Sequence, residues 1–304
     1  VSVLIIHNPS AGYHQPRWRE PVTRVLEALG PVEYVMPSSA EGTTAAARDA
    51  EARGVDLIVA AGGDGTVHRV VNGLTSVNSH VGLLPVGTAN DLARQLGVPH
   101  SPVDAAHAML SGVFVDIDAI CINRTRVLTV GGCAVIADAA LLADRLKARW
   151  PWLGRSAYKL AAAHTILMRG GDPVIGSFVA NQSCLGGSIH LPCESANDDG
   201  VCEVVTLHAG GRLRLARTFL AMTLGVPFAP GAVSSTSLYR TTLTFDREVA
   251  WFGDGEDLGV GRERQVVVEP RAVRVRIARA MASEGTLAVH SSSVKLMTIS
   301  SATE

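Results

Sequence analysis

Length, composition and charge narrow the classes of protein to which this chain can belong. A chain of 304 residues can bury a large core and predicts two domains rather than one. Its 27 lysine and arginine residues are balanced by 28 acidic residues, so the chain has no overall positive charge with which to hold nucleic acid. We therefore exclude nucleic acid as a partner.

Cysteine usage and hydropathy address the cellular compartment. The five cysteines are scattered and form no Cys-x-x-Cys pair, which argues against a disulfide framework or a zinc site and indicates a reducing cytoplasm. No apolar run reaches the roughly 18 residues of a membrane-spanning helix, and no signal peptide opens the chain. The predicted location is cytoplasmic, with peripheral contact at the inner membrane face left open.

The first third of the chain alternates short apolar runs with helical patterns. Strands are predicted at residues 3–7, 32–35, 55–61 and 81–85, and helices at 17–29, 42–53, from Thr66 onward, at 92–96 and at 103–110. This alternation predicts an α/β domain over residues 1–112 with a parallel, doubly wound sheet. Because ligands bind beyond the carboxyl ends of such strands, the polar loops that follow them are candidate sites: residues 8–12, 62–66 and 87–91.

The pattern changes after residue 112. Helices are predicted at residues 137–148, 157–168 and 213–224. Strand-like segments recur at residues 113–120, 126–130, 174–180, 202–207, 241–245, 249–252, 265–268 and 273–277. We assign residues 113–284 to a β-rich domain. Residues 285–304 either complete the first domain, with a strand at 293–299, or form a C-terminal tail that belongs to neither domain.

The loop Gly62-Gly63-Asp64-Gly65-Thr66 is a candidate phosphate site. Glycines let several backbone N–H groups point at one phosphate, and a helix N-terminus adds about half a positive charge. A tight turn is the alternative, in which Asp64 only caps the following helix. The loop lacks both the Gly-Lys-Ser/Thr ending of a Walker A loop and the Gly-x-Gly-x-x-Gly pattern of a dinucleotide loop.

Four segments, in this order, resemble motifs of the diacylglycerol kinase catalytic-domain family, which includes bacterial lipid kinases and the sphingosine and ceramide kinases: Asn8-Pro9-Ser10-Ala11-Gly12, Gly62-Gly63-Asp64-Gly65-Thr66, Pro85-Val86-Gly87-Thr88-Ala89-Asn90-Asp91 and Asp254-Gly255-Glu256. The resemblance implies an α/β domain like that of NAD kinase and phosphofructokinase, followed by a sandwich-like β domain that accepts the lipid. It places the active site in the cleft between the domains. It also implies ATP- and Mg²⁺-dependent phosphorylation of a diacylglycerol-like hydroxyl at a membrane surface, and a place in phospholipid biosynthesis.

The resemblance also assigns residues to roles. Glu256 is the general base that takes the proton of the lipid hydroxyl, and Asp64 organises the catalytic Mg²⁺ or serves as an alternative base. The nucleotide is bound by residues of the loops and of the helix that follows the second loop: Asn8, Gly62, Gly63, Asp64, Gly65, Thr66, Val67, His68, Thr88 and Asn90. A structural Mg²⁺ is bound by the carboxylate of Asp199 and the carbonyl groups of Ala196 and Val201.

Several of these assignments have an alternative that the sequence leaves open. Residues 254–256 alone are typical of a hairpin turn, and residues 196–201 alone of a solvated turn. Ser38 or Ser39 stands where family members often carry a nucleotide-contacting threonine. Residues 145–155 mix basic and indole side chains, as in a lipid headgroup layer, but a helix end with its tryptophans packed in the core is favoured.

Two other functions remain open on the sequence alone. One is a soluble NAD or sugar kinase that shares the glycine loop, and the other is a non-catalytic regulator that binds lipid or nucleotide. The segments at 87–91 and 254–256 favour the lipid kinase over the first, and the acidic residues Asp64 and Glu256 favour it over the second. The early second-domain segment Gly131-Gly132-Cys133-Ala134-Val135 departs from the Gly-x-Gly-Phe-Asp-Ala pattern of the family, so the acceptor lipid is left undetermined.

Overall fold

The computed structural model describes residues 1–9, 17–76, 79–154, 156–169, 175–187, 189–193, 195–278 and 297–300. The chain forms two compact units. Unit 1 consists of Val1–Asp118 and a second segment that begins at Pro270, and unit 2 consists of Ala119–Glu269 and a second segment that contains the last strand. The predicted boundary after residue 112 stays a prediction; the two units divide between Asp118 and Ala119, six residues further along and inside strand β5 (Val113–Ile122).

Unit 1 contains a parallel sheet of five strands. Their order is β2 (Val32–Val35), β1 (Val3–His7), β3 (Leu57–Gly62), β4 (His80–Pro85) and the end of β14 (Glu256–Ile277). Strands β1 and β3 are buried along their whole length, as expected for parallel strands covered on both faces. Since β2 and β3 lie on opposite sides of β1, the winding reverses between β1 and β3. The predicted doubly wound parallel sheet is confirmed.

Five helices of the described part of unit 1 accompany this sheet: α1 (Arg19–Leu26), α2 (Ala40–Ala52), α3 (Asp64–Gly73), α4 (Asp91–Gln95) and α5 (Pro102–Leu110). The prediction that the third helix opens at Thr66 is wrong by two positions. Gly63 has an extended backbone, with φ −95° and ψ −170°, and serves as the N-cap, so that Asp64 is already the first helical residue.

Unit 2 contains an antiparallel sheet. Its order is β12 (Val233–Leu238), β11 (Cys202–Leu207), β8 (Gly176–Ala180), β7 (Val130–Cys133), β13 (Arg240–Gly253) and the first part of β14. Three shorter strands, the first of which pairs with β5, are β6 (Thr125–Val127), β9 (Cys184–Leu185) and β10 (Ile189–His190).

The last described strand, β15 (Met297–Ser300), pairs in parallel with Thr241–Thr244 of β13. This pairing places β15 in unit 2, so the expectation that a strand of the tail completes the first domain does not hold for these residues. At these residues β14 pairs with one edge of β13, and the backbone groups of the other edge pair with β15. Residues 285–296 and 301–304 of the predicted tail lie outside the described residues.

The core of unit 2 has two apolar clusters, one on each face of the sheet. Trp251 and Phe252 are both fully buried and belong to different clusters, because consecutive side chains of a strand point to opposite faces. The cluster that contains Phe252 also includes residues of α6 (Val135–Arg149) and α8 (Gly211–Leu224), and α7 (Ser156–Arg169) packs against both helices. The predicted β-rich second domain with inserted helices is confirmed.

Candidate active site

The carboxyl ends of three parallel strands in unit 1 are level with one another. The N–H of Asn8, directly after β1, donates to the carbonyl oxygen of Ala61 at 3.1 Å, and the N–H of Val86, directly after β4, donates to that of Gly62 at 3.2 Å. The loops that follow the strands therefore begin at one edge of the sheet, next to the point where the winding reverses. Open α/β sheets bind their ligands at such a point.

Two of these loops touch through glycine backbone. A Cβ atom on Gly87 would lie 2.3 Å from the Cα of Gly63, so no other residue fits at position 87 without moving the loops apart. A Cβ atom on Gly62 would lie 2.1 Å from Oγ1 of Thr66. The first N–H groups of α3, which begins here, have no acceptor within the helix. Close backbone and a positive helix end are features of a phosphate-binding loop.

Asp64 joins the two loops. Its Oδ2 accepts a hydrogen bond from the N–H of Asp91 at 3.0 Å, and its Oδ1 accepts one from the N–H of Leu92 at 3.1 Å. The carboxylate of the first residue of α3 thus binds the first backbone N–H groups of α4, where a negative charge is favourable. The alternative that Asp64 caps its own helix is therefore wrong: the N-cap of α3 is Gly63, and the Asp64 carboxylate caps α4 instead.

The loop from Gly87 to Asn90 closes on itself. Asn90 has a left-handed backbone conformation with φ 51°, which asparagine tolerates better than most residues. Its Oδ1 accepts from the N–H of Gly87 at 3.0 Å, and its Nδ2 donates to the carbonyl oxygen of Gly87 at 2.9 Å. Asn90 is buried and holds the loop in shape, whereas Thr88, at the tip, is exposed.

The other predicted nucleotide-binding residues of unit 1 differ in how far solvent reaches them. Asn8, Gly63, Asp64 and Gly65 are partly exposed, whereas Gly62 is buried. The side chains of Thr66, Val67 and His68 are also buried in unit 1, and the Thr66 hydroxyl has no hydrogen-bond partner among the described residues. Residues 10–12 of the predicted first loop lie outside the described part of the chain.

The structure also distinguishes the two serines after β2. The Ser39 hydroxyl accepts a hydrogen bond from the N–H of Gly42 at 3.0 Å as the N-cap of α2, and Ser38 is exposed. The assignment of a nucleotide contact to Ser38 or Ser39 stays a prediction.

A cluster at the end of β1, next to Asn8, was not predicted from the sequence. The His7 ring is hydrogen-bonded to the Tyr34 hydroxyl, and the guanidinium of Arg19 lies 4.0 Å from the centre of the Tyr34 ring. Burial, together with the charge of Arg19, lowers the pKa of His7, and burial raises the pKa of Tyr34 to about 12. At neutral pH both groups are therefore uncharged beside the loop. Nothing in the sequence marks His7 as more than the last residue of a buried strand.

In unit 2, Glu256 is the first residue of β14, and a two-residue turn joins it to β13. Asp254 and Gly255 have positive φ values of 52° and 84°, as in the turns that suit twisted hairpins. The hairpin alternative is therefore realised. Glu256 pairs with Gly253 across the turn and is partly exposed.

Asp254 is buried and anchors this turn. Its carboxylate accepts hydrogen bonds from the N–H groups of Leu128 and Thr129, the shortest at 2.8 Å, and from the Thr129 hydroxyl at 2.6 Å. Its own N–H donates to the carbonyl oxygen of Val130 at 3.1 Å. The position of Glu256 in unit 2 therefore depends on the neighbouring carboxylate.

A second acidic side chain, Asp144 of α6, lies beside the turn and was not predicted. A Cβ atom on Gly255 would lie 3.4 Å from Oδ2 of Asp144, which is buried without a hydrogen-bond partner among the residues that the structure describes. Burial raises the pKa of Asp144, although Lys147 forms an ion pair with its other oxygen. Nζ of Lys147 also donates to the Tyr158 hydroxyl at 2.9 Å. The spacing of Asp144 and Lys147 on one helix is the sequence signal that could have revealed this pair.

The tryptophans of residues 145–155 correct one prediction. Trp150 and Trp152 are 46% and 74% exposed rather than packed in the core. Trp150 follows the end of α6, and Trp152 lies in a separate single helical turn (Pro151–Leu153). Neither residue is therefore on the buried face of α6. Arg155 lies outside the described residues.

The predicted structural magnesium site is a turn on the surface of unit 2. Oδ1 of Asp199 accepts a hydrogen bond from the N–H of Val201 at 3.1 Å, and Asp199 and Ala196 are exposed. Nearby Glu203 is buried with Oε2 lacking a partner among the described residues, and its pKa is raised by burial and by the charge of Asp199. These oxygen donors fit a hard cation such as Mg²⁺. Because no group of three His, Cys, Asp or Glu side chains occurs among the described residues, backbone carbonyl groups would have to supply several of its ligands.

Two family models match the chain. The model described as diacylglycerol kinase catalytic domain matches residues 2–122, and the one described as YegS C-terminal NAD kinase beta sandwich-like domain matches residues 168–277. The resemblance to the diacylglycerol kinase catalytic-domain family that the sequence motifs indicated is confirmed over these residues. These matches confirm the predicted fold class, an α/β domain followed by a β-rich, sandwich-like domain.

Individual members of the family resemble the chain over different lengths. It is 34% identical over 164 residues to a diacylglycerol kinase of Bacillus subtilis (strain 168), a match that covers 51% of this chain and 52% of that protein. It is 26% identical over 205 residues to a diacylglycerol kinase of Mycobacterium tuberculosis (strain H37Rv), covering 62% of this chain and 66% of that one. The chain thus spans between half and two thirds of the length of these two relatives.

A solved member of the family shares the fold. The crystal structure of a diacylglycerol kinase from Bacillus anthracis str. Sterne superimposes with a TM-score of 0.68 at 18% identity and covers 92% of this chain and 98% of that one. Identity at this level supports the fold of the family and carries no statement about substrate.

Proposed function

We propose that the chain is an ATP- and Mg²⁺-dependent lipid kinase that phosphorylates a diacylglycerol-like hydroxyl. The observation that carries this proposal is the contact between the backbones of Gly63 and Gly87, at level strand ends and at the N-terminus of α3. Such a place binds the phosphates of a nucleotide. The names of the diacylglycerol kinase relatives supply the acceptor class.

The loops of unit 1 would bind the nucleotide. The residues with solvent access, Asn8, Gly63, Gly65 and Thr88, would contact its phosphates directly. Gly62, Thr66 and Asn90 would act mainly by fixing the loops, since they are buried and bound to other loop atoms or packed against them. Val67 and His68 would contribute through the N-terminal end of α3 rather than through their buried side chains.

Magnesium fits the same place in unit 1. Both oxygens of Asp64 already accept one N–H, and each keeps further lone-pair capacity, which is the kind of donor that Mg²⁺ takes. The ion would supply charge neutralisation for the phosphates. Asp64 would hold it while keeping the loops together, and we assign it this positioning role rather than that of a base.

Glu256 would act as the general base. The lipid oxygen would form a bond to the γ-phosphorus as the bond from that phosphorus to the β-phosphate oxygen breaks, and the hydroxyl proton would pass to the Glu256 carboxylate. Phosphoryl transfer is chiefly a matter of positioning and charge stabilisation. A positioned base adds about 10²–10⁴-fold to the rate.

An apolar cavity in unit 2 supports a lipid acceptor. Its volume is about 70 Å³, and it lies between α6, α7, α8 and the sheet, lined almost wholly by carbon, for example by Ile136, Phe178 and Phe219. Its lining, almost wholly carbon, suits the end of an apolar chain better than the polar groups of NAD or a sugar. A cytoplasmic location with contact at the inner membrane face is part of this proposal.

The test is phosphate transfer from Mg-ATP by the purified chain. Diacylglycerol, phosphatidylglycerol and a sphingoid base are compared with NAD and a sugar phosphate, and the products are identified by mass spectrometry. We expect a phosphorylated lipid and no product from the soluble acceptors. Transfer to NAD or the sugar phosphate alone would favour the soluble kinase, and nucleotide binding without any transfer would favour the regulator.

A further inference from the structure

A polar side-chain cluster lies beside the hairpin of unit 2, and the proposed reaction gives it no role. It consists of Asp144 and Lys147 of α6 and Tyr158 of α7. Lys147 forms an ion pair with Oδ1 of Asp144, and its Nζ donates to the Tyr158 hydroxyl at 2.9 Å. We call these three residues the α6 polar cluster.

One oxygen of the α6 polar cluster is a buried acceptor. Oδ2 of Asp144 accepts no hydrogen bond from the residues that the structure describes. Burial raises the pKa of Asp144, but the charge of Lys147 acts in the opposite direction and favours the ionised carboxylate. An ionised carboxylate only accepts hydrogen bonds, and leaving a buried acceptor unpaired costs free energy. Oδ2 is therefore suited to a hydrogen-bond donor that a ligand supplies.

The α6 polar cluster stands at one end of the apolar cavity. The three helices around this cavity have 14 or 15 residues, and no helix among the described residues is long and apolar enough to cross a membrane. Ile136 and Ala140 line the cavity, and Asp144 continues their face of α6 one turn further, about 6 Å along the axis. Tyr158 joins the two regions, since it lines the cavity and its hydroxyl binds Lys147. A ligand with its apolar end in the cavity would therefore meet the cluster with its polar end.

The α6 polar cluster also adjoins the hairpin that carries Glu256. A Cβ atom on Gly255 would lie 3.4 Å from Oδ2 of Asp144. Glu256, the base of the proposed reaction, is the next residue, and consecutive Cα atoms are about 3.8 Å apart. A group bound to Oδ2 therefore lies next to the residue that would take the proton of the acceptor hydroxyl.

The charges of the α6 polar cluster select the kind of group that Oδ2 binds. A phosphate or an ester carbonyl has no hydrogen to donate, and a phosphate would also be repelled by the carboxylate. An ammonium group would add a second cation beside a carboxylate that Lys147 already neutralises. A hydroxyl is a neutral donor and meets neither obstacle.

We propose that Asp144 binds a second hydroxyl of the acceptor lipid, on a carbon next to the one whose hydroxyl is phosphorylated. The acceptor class is then a glycerolipid with two neighbouring free hydroxyls, rather than one in which a single hydroxyl remains. The second hydroxyl keeps its proton and donates a hydrogen bond to Oδ2, while the first gives its proton to Glu256. The inference rests on the proposed function, because it concerns the acceptor of that reaction.

The test compares two dissolved acceptors that differ in one hydroxyl: glycerol acylated with octanoate at an end carbon, and its analogue without the middle hydroxyl. For the full chain, phosphate transfer gives kcat/KM for each compound, and calorimetry without nucleotide gives each binding constant. We expect the diol to be preferred by about 10- to 100-fold in both measurements, the effect of a hydrogen bond to a charged group. Asp144→Ala should remove this preference, whereas a merely structural role would lower both compounds equally and keep the ratio.

Asp138→Ala is the matched control, because Asp138 lies on the same helix, pairs with Arg169 and has a side chain 30% exposed, against 31% for Asp144. It should keep the preference for the diol. Asp144→Ala/Lys147→Met removes the ion pair as a whole, leaves no unpaired cation to hinder folding, and should also lose the preference. Equal use of both compounds by the unmodified chain, or a preference that survives in a folded Asp144 variant, would overturn the inference. Absence of transfer to any acceptor would count against the proposed function, and the binding constants would then decide the inference by themselves.

Discussion

Two acidic motifs, Asp64 in unit 1 and Asp254-Gly255-Glu256 in unit 2, both use a carboxylate to bind the backbone of a neighbouring segment, but they differ in which carboxylate does so. In unit 1, Asp64 itself binds the backbone N–H groups of Asp91 and Leu92. In unit 2, Asp254 binds the backbone of Leu128 and Thr129, and the next acidic residue, Glu256, is left partly exposed at the start of a strand.

This difference teaches that a carboxylate in a motif of this kind can hold the loop, perform the chemistry, or do both. In the function that we propose, Asp254 holds the hairpin and Glu256 takes the proton, whereas Asp64 alone holds both the loops and the metal ion. Substitution in the hairpin should therefore separate activity from stability, and substitution in the glycine loop should affect the two together.

The largest expected effect is the loss of activity in Glu256→Gln. Glutamine keeps the size of the side chain but cannot take a proton, so kcat for phosphate transfer should fall by about 10²–10⁴-fold. Stability in urea should not change, because the residue is partly exposed. Glu248→Gln, an exposed carboxylate on β13, is the control for the loss of one charge. Full activity in Glu256→Gln would show that another group accepts the proton.

Asp254→Ala should instead act on stability. It removes a buried carboxylate and leaves two N–H groups and the Thr129 hydroxyl without their acceptor, at a cost of about 3 kcal/mol or more. Asp254→Asn keeps one acceptor oxygen and tolerates the left-handed backbone, so about half of that loss is expected. Urea denaturation of both variants measures the difference. If the alanine variant were as stable as the unmodified chain, Asp254 would not hold the hairpin, and the contrast with Asp64 would be wrong.

Much of the fold could be predicted because strong local signals agree with it. The buried runs of β1 and β3, and the glycines that end β3, are visible in the sequence. The long strands were predicted as fragments: β13 was divided at a bulge between Thr244 and Val249, and β14 was predicted as two short runs. The first ten residues of β14 are exposed or half-buried and mostly polar, so this part of the strand depends on pairing with β13 rather than on local pattern.

The sequence could nominate residues for the candidate site, but it could not predict the hydrogen bonds that these residues make. The family motifs point to Asp64, yet the sequence gives no hint that its oxygens bind α4, because that bond joins residues far apart in the chain. The same holds for Asp254 and Leu128 and for the Tyr34 hydroxyl at His7. Tertiary contacts, not spacing, create these groups.

Asp64→Asn should give an intermediate effect on both properties. The amide keeps one acceptor but faces the second N–H with its own donor, so unfolding of unit 1 should be easier by about 1–2 kcal/mol. With a weaker ligand for the metal, the Mg²⁺ concentration for half-maximal activity should rise. Asp104→Asn, an exposed carboxylate in the first turn of α5, controls for charge. A variant that loses stability but keeps its Mg²⁺ dependence would restrict Asp64 to holding the loops.

The smallest effect on stability is expected on substitution of Glu51, which lies in unit 1 away from the glycine loops. Its carboxylate accepts hydrogen bonds from the N–H groups of Thr75 and Ser76 and from the Ser79 hydroxyl. Burial acts to raise its pKa, but these hydrogen bonds outweigh burial and lower the pKa to about 2, from 4.5. Because the folded-state pKa is the lower one, the stabilisation is present above pH 4.5 and is lost as the pH falls toward 2. Solvent screens the group, so Glu51→Gln should cost about 1 kcal/mol or less at neutral pH and should flatten the acid limb of stability against pH. A loss as large as that of Asp254→Ala would mean that burial is not what separates a strong structural carboxylate from a weak one.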